Sequence, residues 1–486
     1  MKNRGMSYDM IVIGGGLGGL VVGAKLAKEG KKILLVEQHD RPGGCATNFK
    51  RKDFTMEVGL HEMDGLHERD MKTRIFRDLG VLDNVEFLKV PEFYRFVNNR
   101  YDVTISHNPE EVQETLTKIF PNEKAGIKAY FFQIQNIKKI IKQESNKTER
   151  TIGEFIDSII TDGDLKLILL GNLGYYHDDP YNLSLNYYSM AQSSYYQGGG
   201  NFIQGGSQIL SDYLMKVIFD NGGSVLLKHL VKEIILEDDT AIGIRYQSVK
   251  QKDEDLKVAF ANEIIANASI PQVADMLLPK TYGKLIKNEM NGLHPAPSLL
   301  TVYFGFNKKL GDIGNKHYST FIFDESVNKP SDILSNNHAD FDKRSFTFVD
   351  YSQVNSKLAP DNKGVGAVCC NDYTADWEKL DKKAYEKRKE QAAMYFISRL
   401  EKLIPGFADA VEYYEVGTAK TVERYTLNPN GAVYGFAQTP ARVKTTINSP
   451  VKNLSFASAW TQTGGGFSGA IYSGYLCAID VIRKWR

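Results

Sequence analysis

Apolar residues along this chain fall into two patterns, short continuous runs and helical spacings, and these alternate in three separate places. Residues 10–13 (Met-Ile-Val-Ile) and 33–36 (Ile-Leu-Leu-Val) are short apolar runs, as expected of strands buried on both faces of a parallel sheet. Between them Val22, Lys25, Leu26 and Ala27 follow a helical spacing that ends at Gly30. The same alternation returns between residues 199 and 268. It predicts a helix through Leu210, Leu214, Val217 and Ile218, then strands at 224–227 and 231–235. A hairpin of 241–248 with 257–261 follows, and 263–268 runs back into the sheet. At the end of the chain, 453–460 predicts a strand, 463–469 a glycine-rich turn and 470–484 a helix.

The stretches between these blocks read differently. Residues 54–61 predict a strand with a polar tip, and 72–82 a helix stopped by Gly80. Two or three strands are expected over 85–105, where Phe93, Tyr94, Phe96 and Tyr101 alternate with polar residues and Asn98-Asn99 makes the turn. Asn108 opens a helix to Ile119, and strands are expected near 299–306, 345–351 and 365–370, with a charged helix over 379–403. Residues 124–147 form a long helix with Tyr130, Phe131, Ile134, Ile137, Ile140 and Ile141 apolar and Lys138, Lys139, Lys142 and Lys147 basic. Such a helix either lies on an anionic membrane or packs on a core with its charged face in water, the commoner use. Tyr175, Tyr176, Tyr181, Tyr187, Tyr188, Tyr195 and Tyr196 crowd one segment, suited either to lining a cavity or to packing between domains.

The first block carries chemistry. Gly14, Gly16 and Gly19 satisfy G-x-G-x-x-G between a strand and a helix, and Glu37 lies where a carboxylate accepts from the ribose hydroxyls of a dinucleotide. The helix N-terminus offers free N–H groups and a positive dipole end to the pyrophosphate. Six residues past Glu37 come Gly43 and Gly44, a second glycine pair that lets the chain fold back beside an extended flavin dinucleotide. NAD domains do not need that pair, so the cofactor expected is FAD. The glycine-rich turn at 464–469 leads into a helix N-terminus, which can direct N–H groups at the edge of a flavin where charge collects on reduction.

Composition narrows the class. A chain of 486 residues suits two or three domains, and 60 basic against 59 acidic residues leaves no field to recruit nucleic acid. Cys45, Cys369, Cys370 and Cys477 show no metal-ligand or C-x-x-C spacing, which fits a reducing compartment and no metal site; adjacent Cys369 and Cys370 suit a buried strand. Cys45 lacks a partner cysteine and reads as a small residue beside backbone. The apolar run after Lys2 and Arg4 is better explained by the dinucleotide pattern than by a signal peptide, and no stretch is long enough to cross a membrane. The expected location is the cytoplasm, with contact to a membrane surface left open.

The opening motif, Arg41-Pro42-Gly43-Gly44, Glu57-Val58-Gly59-Leu60-His61, and Ala459-Trp460-Thr461 with Gly464 through Ile471 together resemble the phytoene desaturase family, including its carotenoid isomerase and retinol saturase branch. The resemblance covers roughly 8–65, 195–275 and 415–485. It implies an α/β fold: a discontinuous FAD-binding, Rossmann-like domain of the amine-oxidase type with an inserted α+β substrate domain. The FAD domain is expected from 1–65, 195–295 and 415–486, and the substrate domain from 66–194 and 296–414. Implied FAD contacts are Gly14, Gly16, Leu17, Gly18, Gly19, Glu37, Gln38, Gly43, Gly44, Cys45, Ala46, Gly59, Leu60, His61, Val231, Ala459, Trp460, Gly466, Phe467 and Ala470. Thr463 stands where many members have proline, which leaves the shape of the flavin-facing turn open.

His61 is the candidate catalytic residue, positioning substrate or moving a proton because its ordinary pKa is near neutrality; a histidine hydrogen-bonded within the fold is the alternative. Glu62, Tyr425 and Trp460 are further candidates. The implied activity is FAD-dependent chemistry on C–C bonds of a hydrophobic isoprenoid or polyene substrate, by desaturation, saturation or isomerisation. Hydride exchange with flavin N5 needs positioning and exclusion of water more than a fixed acid–base pair. A single dinucleotide fingerprint implies a diffusible electron donor or acceptor. The alternatives are a flavin amine oxidase acting on a C–N bond and a non-enzymatic prenyl-binding protein of the kind seen in Rab escort and GDP-dissociation-inhibitor proteins.

Overall fold

A computed structural model describes residues 8–143, 149–250, 255–442 and 445–485. Lys147, expected on the basic face of the long helix, lies outside the described residues. The apolar runs form adjacent parallel strands, Tyr8–Ile13 against Ile33–Val36, joined by the helix Leu17–Lys28. Ser224–Leu226 adds outside Ile33–Val36, and Lys257–Ala266 lies on the other side of Tyr8–Ile13. Lys257–Ala266 serves two neighbourhoods. Its second half pairs parallel with Tyr8–Ile13 and Leu454–Phe456, while its first half pairs antiparallel with Thr240–Ser248, which in turn pairs with His229–Glu237. The three blocks of α/β pattern therefore meet in one seven-stranded sheet.

The second seven-stranded sheet runs Val411–Gly417, Ser298–Phe306, Gly364–Asp372, Phe346–Asp350, Ser319–Ile322, Tyr94–Val97 and Asp102–Ile105. Its pairings are antiparallel except for Ser319–Ile322 with Tyr94–Val97. Two of its strands, Val411–Gly417 and Ser319–Ile322, were not expected from the sequence pattern. Val411–Gly417 crosses residue 415, and the helix Met71–Leu79 packs on the last helix through Tyr472, whose hydroxyl donates to Asp70 Oδ1 at 3.2 Å. The chain positions 66 and 415 thus fall within packed structure.

Several expected elements are shortened for visible reasons. The strand expected over 54–61 stops at Glu57, because the Glu57 carboxylate takes over the backbone. Its Oε1 accepts from Gly59 N at 3.2 Å, Leu60 N at 3.0 Å and the Ser207 hydroxyl at 2.7 Å, and its Oε2 accepts from Ser207 N at 2.8 Å. The strand expected over 453–460 is only Leu454–Phe456, since from Ala457 onward the backbone turns against the first helix. The helix from 72 begins at Met71, capped by the Asp70 side chain, and ends at Leu79 where Gly80 takes a φ of 77°. Cys369 and Cys370 lie buried in Gly364–Asp372, as expected.

The first helix, Leu17–Lys28, and the last, Gly466–Lys484, meet with backbone against backbone. A Cβ on Gly18 would be driven into the Ala457 carbonyl, and one on Gly474 into the Gly18 carbonyl. Gly474→Ala is expected to destabilise the protein by about 1–3 kcal/mol through overpacking, read as a lower thermal midpoint. Gly23→Ala, on the same first helix, meets only the end of the Ile218 side chain at 2.9 Å, so its midpoint should stay near that of the parent. Equal losses in the two variants would contradict this account.

Candidate functional site

The glycine segments converge. Gly43 N donates to Gly15 O at 2.7 Å, Gly16 and Gly43 form a parallel bridge, and a Cβ on Gly44 would lie 3.2 Å from Gly16 Cα. Gly43 and Gly44 have φ of 125° and 61°, a region side chains rarely adopt. Glu37 holds the turn from behind, with Oε2 accepting from Gly15 N at 2.6 Å and Oε1 from His39 N at 2.8 Å. Gly19 is the packing glycine: a side chain there would strike the Gly14 carbonyl.

Both helices that point at this place begin without a side-chain cap. The N-cap residues are Gly16 and Gly465, and neither first turn carries an acidic residue. Their first N–H groups are left for an acceptor from outside the chain. At the second of these helices the turn is fixed by Thr463, whose hydroxyl donates to Gly469 O at 2.9 Å, while Gly464 and Gly466 take φ of 77° and 71°. The threonine thereby ties a turn for which proline was the expected residue.

A cavity of about 1960 Å³ runs through this junction. Pockets for a single drug-sized ligand hold about 300–1,000 Å³, so it has room for a dinucleotide and a second molecule. Gly14, Gly16, Leu17, Gly18, Glu37 and Gln38 line one part, with Val231 beside them. Gly43, Gly44, Cys45, Ala46, Gly59 and His61 continue the wall, and Ala459, Trp460, Gly466, Phe467 and Ala470 close it. Gly19 and Leu60 lie behind it; Leu60 is in the core, with its N–H held by Glu57. Trp460 is buried and anchored by Asn428 Oδ1, which accepts from its ring N–H at 3.3 Å. Tyr425 stands at the Glu37 end, exposed, where its carbonyl accepts from Gln38 and lies 2.7 Å from His39 Nε2.

Beyond His61 the cavity opens onto the face of the second sheet carrying Thr301, Tyr303, Phe321, Thr347 and Asn371. The tyrosine-rich segment divides between the two uses left open by the sequence. Tyr175, Tyr176, Tyr187 and Tyr195 line the cavity, whereas Tyr188 is in the core with its hydroxyl 2.8 Å from that of Tyr130. Tyr196 packs on Phe93 and Phe131, and Tyr181 donates to Asp157.

Burial governs the titratable groups around His61. His61 lies 3.2 Å from the Tyr175 hydroxyl through Nδ1, and burial pushes its pKa down to about 4. The near-neutral pKa expected of it is not kept, so at pH 7 it is a neutral hydrogen-bonding ring. Burial pushes the Cys45 thiol up, away from the thiolate range. Glu62 is raised well above the usual carboxylate range, first by burial and then by Glu92 and Asp64. Asp64 itself is held low by Lys72, 3.1 Å away, against the opposing effect of burial.

The sequence reading missed residues that shape the site. Asn267, directly after the central strand, donates from Nδ2 to Gly14 O at 3.2 Å, and its amide lies in the space a side chain on Gly16 would need. Tyr434 and Gly435 pack under Gly465 and Ala459, with no room for a Cβ at either glycine. Buried Arg442 donates to Trp460 O at 3.1 Å. Two pairs of nearby glycines, Gly431 with Gly435 and Gly464 with Gly465, were the signal available for this contact. Among the described residues no cluster of three or more His, Cys, Asp or Glu is placed to hold a metal ion.

An uncapped helix over a glycine turn, a second glycine pair folded against it and a second uncapped helix closing the far side define a flavin-dinucleotide oxidoreductase of the amine-oxidase fold. The family comparison agrees. The model for flavin containing amine oxidoreductases matches residues 17–482, and the chain belongs to that family; its cofactor is FAD. All-trans-retinol 13,14-reductase of Danio rerio is 24% identical, over 98% of this chain and 86% of that one. Prolycopene isomerase of Daucus carota is 28% identical, over 98% and 80%. These relatives agree with the resemblance read from the motifs. Among solved structures, an oxidoreductase from Methanosarcina mazei superposes with a TM-score of 0.66 at 16% identity, covering 98% of this chain and all of that one. A putrescine oxidase variant gives 0.66 at 14% identity, covering 99% of each.

The lowered histidine pKa has a stability consequence. An unfolded histidine takes up its proton near pH 6.5, whereas folded His61 and His107 do so only near 4. The unfolded chain therefore binds more protons between those values, and stability falls as pH drops from about 6.5 to about 4. His61→Asn should flatten that part of the profile of thermal midpoint against pH, and an unchanged slope would refute the neutral assignment.

Proposed function

We propose that this flavoenzyme acts on C–C bonds of a hydrophobic isoprenoid or polyene substrate. The observation that carries the reading is the continuity of the cavity, from the dinucleotide cradle past His61 into a chamber of aromatic and small polar side chains. The chain's residues fit FAD: the N–H groups after Gly16 would take the pyrophosphate, and those after Gly465 the electron-rich edge of the flavin. Glu37 keeps lone pairs free for ribose hydroxyls beyond the two N–H groups it already accepts. When bound, FAD supplies two-electron exchange with a substrate carbon. The wall contributes orientation and dryness, with Tyr175 and neutral His61 offering hydrogen bonds at the point where the two halves of the cavity meet.

We assign residues 1–65, 195–295 and 415–486 to the FAD domain and the remainder to the substrate domain, with packed elements crossing both boundaries. The retinol reductase and prolycopene isomerase names of the relatives support a polyene over an amine. Electrons enter or leave through a diffusible partner, in keeping with the one dinucleotide fingerprint. Purified protein is expected to be yellow, and under anaerobic reduction to change all-trans-retinol or prolycopene as followed by absorbance and mass spectrometry. Release of peroxide on addition of putrescine, with both polyenes unchanged, would favour the amine oxidase reading.

We also infer contact with an anionic membrane surface, through which a hydrophobic substrate enters. The helix Lys124–Gln143 supplies Ile137, Lys138, Ile140 and Ile141 to the cavity wall, and presents Phe132, Lys138, Lys139 and Lys142 on its exposed side. No described helix is long and apolar enough to cross a membrane. Reversing the charge of Lys138, Lys139 and Lys142 should reduce co-sedimentation with phosphatidylserine vesicles at least several-fold while leaving FAD content unchanged. Equal sedimentation of parent and variant would refute the contact.

A further inference from the structure

We propose that Glu62 is the proton donor and acceptor for the substrate carbon, an inference that rests on the polyene reading above. Glu62 belongs to the cavity wall, is 8% exposed, and neither of its carboxyl oxygens has a hydrogen-bond partner among the described residues. The buried glutamates Glu57 and Glu263, by contrast, are engaged through both carboxyl oxygens. Glu57 accepts from Ser207, Gly59 and Leu60; Glu263 accepts from Ser455, Lys484 and Trp485. A buried acid left unpaired is costly to the fold, and such groups gather where a ligand completes them.

Room is kept for this carboxyl. Gly200 faces it, and a Cβ there would collide with Glu62 Oε2. The groups that feel its charge are hydroxyls and acids. They are Tyr175, Tyr176, Tyr195 and Tyr318 on one side, and Glu92 and Asp64 on the other. The nearby cations are already committed, Lys72 to Asp64 and Ser468, and Lys89 to the Gly198 carbonyl. Nothing in this setting draws the proton off: burial first, and then Glu92 and Asp64, push the Glu62 carboxyl well above the usual carboxylate range, toward its protonated form. Tyr175, one of these groups, lies 3.2 Å through its hydroxyl from His61 Nδ1, at the junction of the two halves of the cavity.

The proton balance of polyene chemistry calls for such a group. Reduction of a double bond places two electrons and one hydrogen, supplied by reduced flavin, on one carbon; the other carbon needs a proton. The Glu62 O–H bond breaks, a C–H bond forms, and a carboxylate remains. Desaturation runs the same transfer in reverse. Isomerisation uses it twice, protonating one end of a double bond, allowing rotation and then taking a proton back, with no net change in electrons. The carboxylate regains its proton from water between turnovers.

The test compares wild type, Glu62→Gln and Glu62→Asp as FAD-loaded proteins, reduced anaerobically with dithionite, with all-trans-retinol and prolycopene in heavy water. Glutamine keeps the shape but has no proton of comparable acidity. Deuterium incorporation into recovered polyene is expected to fall by about 10²–10⁴-fold in Glu62→Gln, with polyene binding retained, and to recover in part in Glu62→Asp. Infrared difference spectra at pH 7 should show a protonated carboxyl stretch that disappears in Glu62→Gln and shifts when retinol binds. If wild type changes neither polyene, the substrate reading falls and the donor role with it. If wild type changes them and Glu62→Gln incorporates deuterium at the parent rate, or if the carboxyl stretch is absent, only the donor role falls.

Discussion

The structure depends on a close approach between backbones that no side chain could occupy. Gly18 of the first helix meets Ala457 after the last strand and Gly474 of the last helix, while Gly16 meets Gly43 and Gly44. Segments more than 400 residues apart in sequence are thereby held in van der Waals contact. The consequence is chemical as well as architectural. Two helix N-termini, at Gly16 and Gly465, open on one cavity with uncapped N–H groups, so an electron-rich ligand completes hydrogen bonds that the chain leaves unmade. The packing that builds the fold and the polarity that binds the cofactor come from the same glycines.

This explains which parts were legible in the sequence. The parallel strands and both uncapped helices could be read because their signals are local: an apolar run, a glycine spacing, a helical period. Glu37 could be read because its distance from the glycines is set by one strand–helix–strand unit. Asn267, Tyr434 and Arg442 could not, since each acts on the site through a contact between distant segments and none breaks a local rule. The shortened strand at Glu57 has the same origin. Its carboxylate reaches Ser207, 150 residues away, and takes the N–H groups that a longer strand would have used. The strands Val411–Gly417 and Ser319–Ile322 carry mixed patterns, and their place is decided by the sheet they join.

Burial changes the character of side chains whose sequence reading rests on their behaviour in water. His61 read as a proton shuttle because free imidazole titrates near neutrality; in the cavity wall it is neutral and hydrogen-bonded to Tyr175. Glu62 stood only among the further candidates; in place it is an acid of the wall with no partner among the described residues. One low-dielectric setting removes the proton from the base and pushes the acid toward holding its own. The roles of two adjacent residues are thereby exchanged relative to their solution chemistry.

The same setting bears on substrate class. An amine reaches an enzyme mostly as a cation, and transfer of that charge from water to an apolar interior must be offset by a carboxylate or an aromatic cage. Asp64, next but one to Glu62 in the wall, is already paired with Lys72 and the Ser468 hydroxyl, while burial and neighbouring acids push Glu62 toward its protonated form. A hydrocarbon chain carries no charge to offset and gains from burial against Phe321, Tyr175 and Tyr195, at roughly 25 cal/mol for each Å² removed from water. Charge developing on a conjugated chain is spread over several carbons, which lowers the demand for a fixed counter-ion. Of the acids Glu62 and Asp64, one has no partner among the described residues and the other is held by a lysine, a setting that suits an uncharged chain better than a cation.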